Sequence, residues 1–162
     1  MAQLSYAYQA PRGAPGSLLD ISPYRIDSRA NGEKQTGKLK YGMGAVRGSS
    51  PGSNVALPYS GVDASHFEGV VMTGLTTEMD IDGEVALREF ATVGVLRYGS
   101  AWVRIVDGID PEYGDPLYLV DSGSDAGLFT NDPSGGIAVN GRFGRERGTG
   151  LVHSVDIYDQ GA

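Results

Sequence analysis

Residues 92–106 read TVGVLRYGSAWVRIV, two short apolar runs on either side of Gly99-Ser100. Glycine at the first position of a two-residue loop marks a type II′ turn, so the run predicts a hairpin with Tyr98 and Ala101 flanking the turn. In that register Leu96 pairs with Val103 and Gly94 with Ile105, on the same face as Tyr98 and Ala101. This face is apolar and belongs in a core. The opposite face pairs Arg97 with Trp102 and Val95 with Arg104, which leaves the sole tryptophan between two arginines on the outside. Either the arginine stems shelter the ring on a solvated face, or the group anchors an interface, since Trp and Arg are enriched at binding hot spots.

Working outward, further short alternating runs predict strands near Val55–Tyr59, Glu68–Thr73, Glu84–Arg88, Leu117–Asp121, Gly127–Thr130 and Thr149–Tyr158. Turn signals separate them at roughly the 8–12-residue spacing of a sandwich or small barrel. No window carries an apolar period of 3.6 residues over helix length. Glycine occupies 25 of 162 positions, a density that favours short strands and tight turns over long helices. The fold class expected is all-β: a small barrel- or sandwich-like body over residues 55–162, preceded by an extended, largely irregular N-terminal arm over residues 1–54.

The arm is set apart by composition and charge. Pro11, Gly13, Pro15 and Gly16 break its start, and Gly48, Pro51 and Gly52 close its end; Leu18, Leu19, Ile21, Tyr24 and Ile26 form its one apolar cluster. Residues 1–54 carry Arg12, Arg25, Arg29, Lys34, Lys38, Lys40 and Arg47 against three acids, a net +4, while residues 55–162 carry −11 of the total −7. An acidic body disfavours nucleic acid as its partner, because phosphate binding needs clustered cations. A basic arm on such a body either lies on an acidic partner surface or is simply solvated. No basic-then-apolar leader opens the sequence and no apolar run approaches the roughly 18–20 residues of a membrane span, so a soluble chain with no membrane partner is expected.

Chemistry is harder to find. Gly48-Ser49-Ser50-Pro51-Gly52 fits G-x-S-x-G, but the residue after the serine must supply an oxyanion N–H, and Pro51 has none. Asp80-Ile81-Asp82-Gly83-Glu84 begins like a calcium loop without its later oxygen ligands, and Asp121-Ser122-Gly123-Ser124-Asp125 reads as another solvated acidic turn. His66 and His153 lack metal-ligand spacing, and cysteine is absent. The basic, glycine-rich Gly141–Gly150 stretch reads as a surface loop or subunit contact. No catalytic residue, metal or cofactor is expected.

Several segments in order resemble the structural cement (capsid decoration) proteins of tailed bacteriophages. Tyr41-Gly42-Met43-Gly44-Ala45-Val46-Arg47-Gly48 with Val55-Ala56-Leu57-Pro58 resembles their entry segment, and Phe67-Glu68-Gly69-Val70-Val71 their F-x-G-V strand. Gly83-Glu84, Val93–Gly99 with Ala101-Trp102-Val103, Gly114-Asp115-Pro116-Leu117-Tyr118, Gly127-Leu128-Phe129-Thr130 and a closing strand through Val155 and Ile157 follow in that family's order. The resemblance implies a non-enzymatic protein that binds the outer surface of the major capsid protein shell and stabilises the head. It also implies a homo-oligomer, with a trimer favoured over a dimer, held in the host cytoplasm until assembly. On this reading Arg12, Leu18, Leu19, Arg25, Arg29, Lys34, Lys38, Lys40 and Arg47 are candidates for capsid contact. Arg97, Trp102, Arg104 and Phe143 are candidates for the oligomer interface. Removal of residues 1–40 is then expected to leave a folded body that no longer binds heads. A second class, a carbohydrate-binding or host-adhesion module on the virion, would use Trp102, Tyr113 and Tyr118 to stack sugars.

Overall fold

In the computed structural model, which describes residues 12–74, 79, 81 and 85–160, Gly99-Ser100 does not turn. Thr92–Arg104 is one strand of 13 residues, which replaces the expected hairpin. Gly99 has φ +130°, a conformation closed to most side chains. Just before it, Arg25 of a neighbouring strand lies opposite Tyr98 while Ile26 lies opposite Leu96, so an extra residue enters at Arg97. Such a bulge bends a strand and changes which side chains share a face. Val93 and Val95 enter one buried cluster, whereas Leu96, Ala101, Val103 and Ile105 enter another. In an unbroken strand residues 96 and 101 would point opposite ways. Leu96, Ala101, Val103 and Ile105 therefore share a core as expected of the hairpin, though a bulge brings them together, whereas Tyr98, expected on the same face, is 44% exposed.

The described residues form nine strands: β1 (Arg25–Asn31), β2 (Gly44–Arg47), β3 (Asn54–Ala56), β4 (Phe67–Met72), β5 (Thr92–Arg104), β6 (Pro116–Val120), β7 (Phe129–Thr130), β8 (Gly136–Arg147) and β9 (Val152–Ile157). The order β1-β3-β2-β4-β5 closes into a five-strand barrel because β1 also pairs with β5. The β1–β3 pairing is parallel and the other four are antiparallel. Past the bulge, Gly99–Arg104 of β5 pairs with β9, and the sheet continues through β8 and β6 to β7. The protein is thus all-β, a small closed barrel with a sheet extending from its longest strand.

Two cores result. Ala45, Val55, Val71, Val93 and Val95 fill the barrel with Leu39 and Leu87, while β1 contributes only polar side chains to that interior. The larger core lies between the outside of the barrel (Val46, Val70, Leu96) and the second sheet (Leu117, Leu119, Phe143, Val155, Ile157). Phe143 is fully buried there, edge-on to His153 with ring centroids 5.4 Å apart. It is a core residue, which corrects its reading as part of an exposed interface. The glycine-rich stretch that contains it is mostly strand β8, not a loop. Its glycines permit close strand approach: a Cβ on Gly144 would stand 2.4 Å from Ser154 Oγ.

The N-terminal segment is woven into this body. Gly16 N–H donates to Trp102 C=O at 2.8 Å, Trp102 N–H to Ser17 C=O at 3.0 Å, and Leu19 N–H to Ser100 C=O at 3.0 Å. Gly13 lies so close above the Trp102 ring that a Cβ there would be 2.5 Å from Cε3. Trp102 is consequently only 6% exposed, a correction to its placement on an outer face. Thr149 N–H donates to Arg12 C=O at 2.7 Å, which ties the segment to the β8–β9 turn. Residues 25–54, read as part of an arm, supply β1 and β2 and open β3, although the stretches 12–24 and 32–43 are largely irregular. Residues 1–11, Asp80, Asp82-Gly83-Glu84 and the start of the expected strand at Glu84 lie outside the described residues; Ala86–Arg88 form no strand.

Two outcomes follow for stability. Deletion of residues 1–40 removes β1, opens the barrel and bares Trp102, so circular dichroism should show no cooperative melt, in place of the folded body expected from sequence. Phe143→Ala leaves a cavity in the larger core and should cost about 3–5 kcal/mol in urea unfolding.

Candidate functional site

The sequence-derived candidates gather in three places. The first is one mouth of the barrel. Asp27 and Arg29 lie opposite Val95 and Val93, so β1 points them into the barrel that those valines line. Asp27 accepts hydrogen bonds from Arg25 Nε at 3.1 Å and Nη2 at 3.2 Å, and from Arg29 Nη2 at 3.3 Å. Glu68, only 7% exposed within the wholly buried strand β4, takes Arg47 Nε on one oxygen at 3.2 Å and Arg97 Nη1 on the other. Two carboxylates are thus shared among four guanidiniums. Arg29 Nε is buried without a hydrogen-bond partner among the described residues. Asp27 is held below the ordinary carboxylate range, chiefly by hydrogen bonding from Arg25, with the charges of Arg25, Arg29 and Arg97 adding to the effect against partial burial.

Outside this network lies a cavity of about 310 Å³ whose walls include Tyr24, Arg25, Arg97, Tyr98 and Asp159. It brings Arg25, expected to touch capsid, together with Arg97, expected at an oligomer interface. Sequence reasoning missed Asp27, Glu68 and the tyrosines. An acid inside the apolar run Phe67-Glu68-Gly69-Val70-Val71-Met72 was the available signal, because a buried carboxylate needs a cationic partner.

The second place is a groove made of two adjoining cavities of about 390 and 380 Å³ that share Lys38, Met43 and Ser124. Lys40 and Arg104 line one of them, so two arm lysines meet a β5 arginine there. Arg104 Nε donates to Tyr41 C=O at 2.7 Å, and Lys38 Nζ stands 3.9 Å from Glu33. The third place is the covering segment. Arg12 pairs with Glu146, and Leu18 packs half-buried against the larger core. Leu19 is also half-buried, and Lys34 is exposed away from these groups. The aromatic set considered for sugar stacking does not assemble: Trp102 is buried, and Tyr113 stacks on Arg142 at 4.8 Å.

The Glu68→Gln change leaves two guanidiniums facing a neutral amide and should cost about 3 kcal/mol in chemical unfolding. Arg47→Ala, which removes a partner that is 45% exposed, should cost under about 1 kcal/mol. Folding lowers the Asp27 pKa, so its contribution to stability is complete above the unfolded value of about 3.9. It is lost as pH falls through the lower native value. An Asp27→Asn variant should therefore lose the low-pH part of the wild-type acid-unfolding curve.

A family model described as structural cement protein matches residues 2–157. No curated protein matches. Among solved structures, the chain is similar to one described as "The capsid of Myoviridae Phage XM1", at 18% sequence identity and a TM-score of 0.73 over 98% of each chain. That likeness is one of fold, and it runs from end to end.

Proposed function

The chain belongs to the phage structural cement protein family, and from that premise we propose that it binds the outer surface of the major capsid protein shell and stabilises the head without catalysing a reaction. The observation that carries this reading is the charge split: +4 over residues 1–54 against −11 over residues 55–162. The cations Lys38 and Lys40 line a groove with Met43, Leu128 and Leu151 beside them, a mixed basic and apolar surface suited to an acidic protein face. Nucleic acid is a poor partner for the acidic body. The shell-bound form is a homo-oligomer, a trimer favoured over a dimer, and before assembly the protein resides in the host cytoplasm.

Holding a pressurised shell requires stiffness and several simultaneous contacts rather than a reactive group. A closed barrel supplies stiffness because every stave is bonded on two sides. An oligomer supplies the contacts, and linking weak sites raises avidity by roughly 10²–10⁴ over a single one. The described segment from residue 12 onward cannot act as a loose tether, since its backbone is bonded to β5 and to the β8–β9 turn. Its cations act as part of a rigid surface.

The test is co-sedimentation with expanded heads that lack the protein. Wild type should pellet with heads, and a Lys38→Glu/Lys40→Glu double variant should bind about tenfold more weakly at low salt, with unchanged circular dichroism. The difference should narrow in 1 M salt, where the screening length is about 3 Å. Equal binding by the reversed variant would remove the groove from the interface, and failure of wild type to pellet would overturn shell binding.

A further inference from the structure

The barrel mouth gathers four arginines around two paired carboxylates, and Asp159, which lines the same cavity and forms no ion pair among the described residues, is the one further acid there. Arg25, Arg29, Arg47 and Arg97 divide two carboxylates, Asp27 and Glu68. The division is layered. Arg25, 70% exposed in its side chain, and Arg97 form the cavity wall. Arg29 stays on Asp27 and Arg47 on Glu68 if the outer pair turns toward an incoming group. A new carboxylate can therefore engage Arg25 and Arg97 without stranding a buried charge, which is the usual obstacle to rearranging such a network. Around the opening, Tyr24 is 53% exposed and Tyr98 44%. Arginine with exposed tyrosine is the composition of an interface centre rather than of ordinary surface.

We propose that this mouth is a carboxylate receptor for a second copy of the chain, filled by the acidic β5–β6 loop of the neighbour. That loop carries Asp107, Asp110 and Glu112 within six residues, all exposed, and Asp110 already pairs with Arg147 of its own chain. Asp107 and Glu112 are the groups offered to Arg25 and Arg97. The occupant follows from charge: the body of this chain is itself the −11 partner that a basic mouth attracts. Mouth and loop are different surfaces, so the contact is head-to-tail, and head-to-tail contacts that close generate rings. The inference rests on the homo-oligomer part of the proposed function and uses residues other than Lys38 and Lys40.

Sedimentation velocity on the full chain, without heads, tests it. Wild type should associate with concentration, and raised salt should weaken the association. Arg25→Glu should raise the dissociation constant roughly tenfold or more. Arg25→Gln, which adds no negative charge, should do so less. Asp107→Lys/Glu112→Lys should weaken association to a similar degree, and a one-to-one mixture with Arg25→Glu should restore one junction. Circular dichroism verifies that each variant is folded. Undiminished association of both Arg25 variants overturns the receptor. Loss with Arg25→Glu but none with the loop variant overturns the loop as occupant. A wild-type chain that stays monomeric overturns the homo-oligomer instead, while shell binding is judged separately by pelleting.

Discussion

Strand β5 is hydrogen-bonded along both halves to different partners. Thr92–Tyr98 pairs with β1 and β4 to close the barrel, and Gly99–Arg104 pairs with β9 on the way to the second sheet. One strand can serve two sheets only if it changes course between them, and the extra residue at Arg97 followed by the positive φ of Gly99 makes that change. The same irregularity directs valines into the barrel before it and apolar residues into the larger core after it. A regular β5 would place one of these sets in solvent, because side chains alternate strictly along a strand. Both cores depend on this break.

The bulge also accounts for the charged mouth. β1 lies against the first half of β5 with Asp27 and Arg29 turned inward, where a barrel this small would ordinarily hold aliphatic side chains. Arg97, the inserted residue, reaches Glu68 on the neighbouring strand β4. Apolar packing fills one part of the barrel and ion pairs fill the other. Charges in such a position add little net stability, because the cost of desolvation offsets their attraction. A site that another polypeptide can enter is best placed at that end, where the groups are already charged and only partly desolvated.

The sequence made the class of fold legible and left its closure obscure. Short alternating runs located β4, β6 and β9 to within a few residues, and the apolar set Leu96, Ala101, Val103 and Ile105 was assigned correctly to one face. The turn at Gly99-Ser100 was misread because a type II′ turn and a bulge both use glycine at positive φ, and only the partners on either side tell them apart. β1 was missed because Arg25-Ile26-Asp27-Ser28-Arg29-Ala30 faces a charged interior, so its period-2 signal carries no apolar stripe. β8 was missed because its glycines serve close packing against β9 rather than turning. The cations of the candidate site were legible as a group; their division between mouth and groove depends on strand register across distant parts of the chain.

Arg12 is bonded to Thr149, 137 positions away, and β1 has only the two-residue pairing of Ala30 and Asn31 with β3 until β5 exists. During synthesis, the first strand of the barrel therefore leaves the ribosome long before its partner. At about 5–20 residues per second, most of β1 (Arg25–Arg29) waits several seconds for its β5 partner, and the cover over Trp102 waits for the C-terminal turn. Contacts of such sequence separation also slow the folding step itself. The polar inner face of β1 has a second consequence in that interval: a waiting strand that carries Arg25, Asp27 and Arg29 is a poor template for aggregation, whereas an aliphatic one would be a good one.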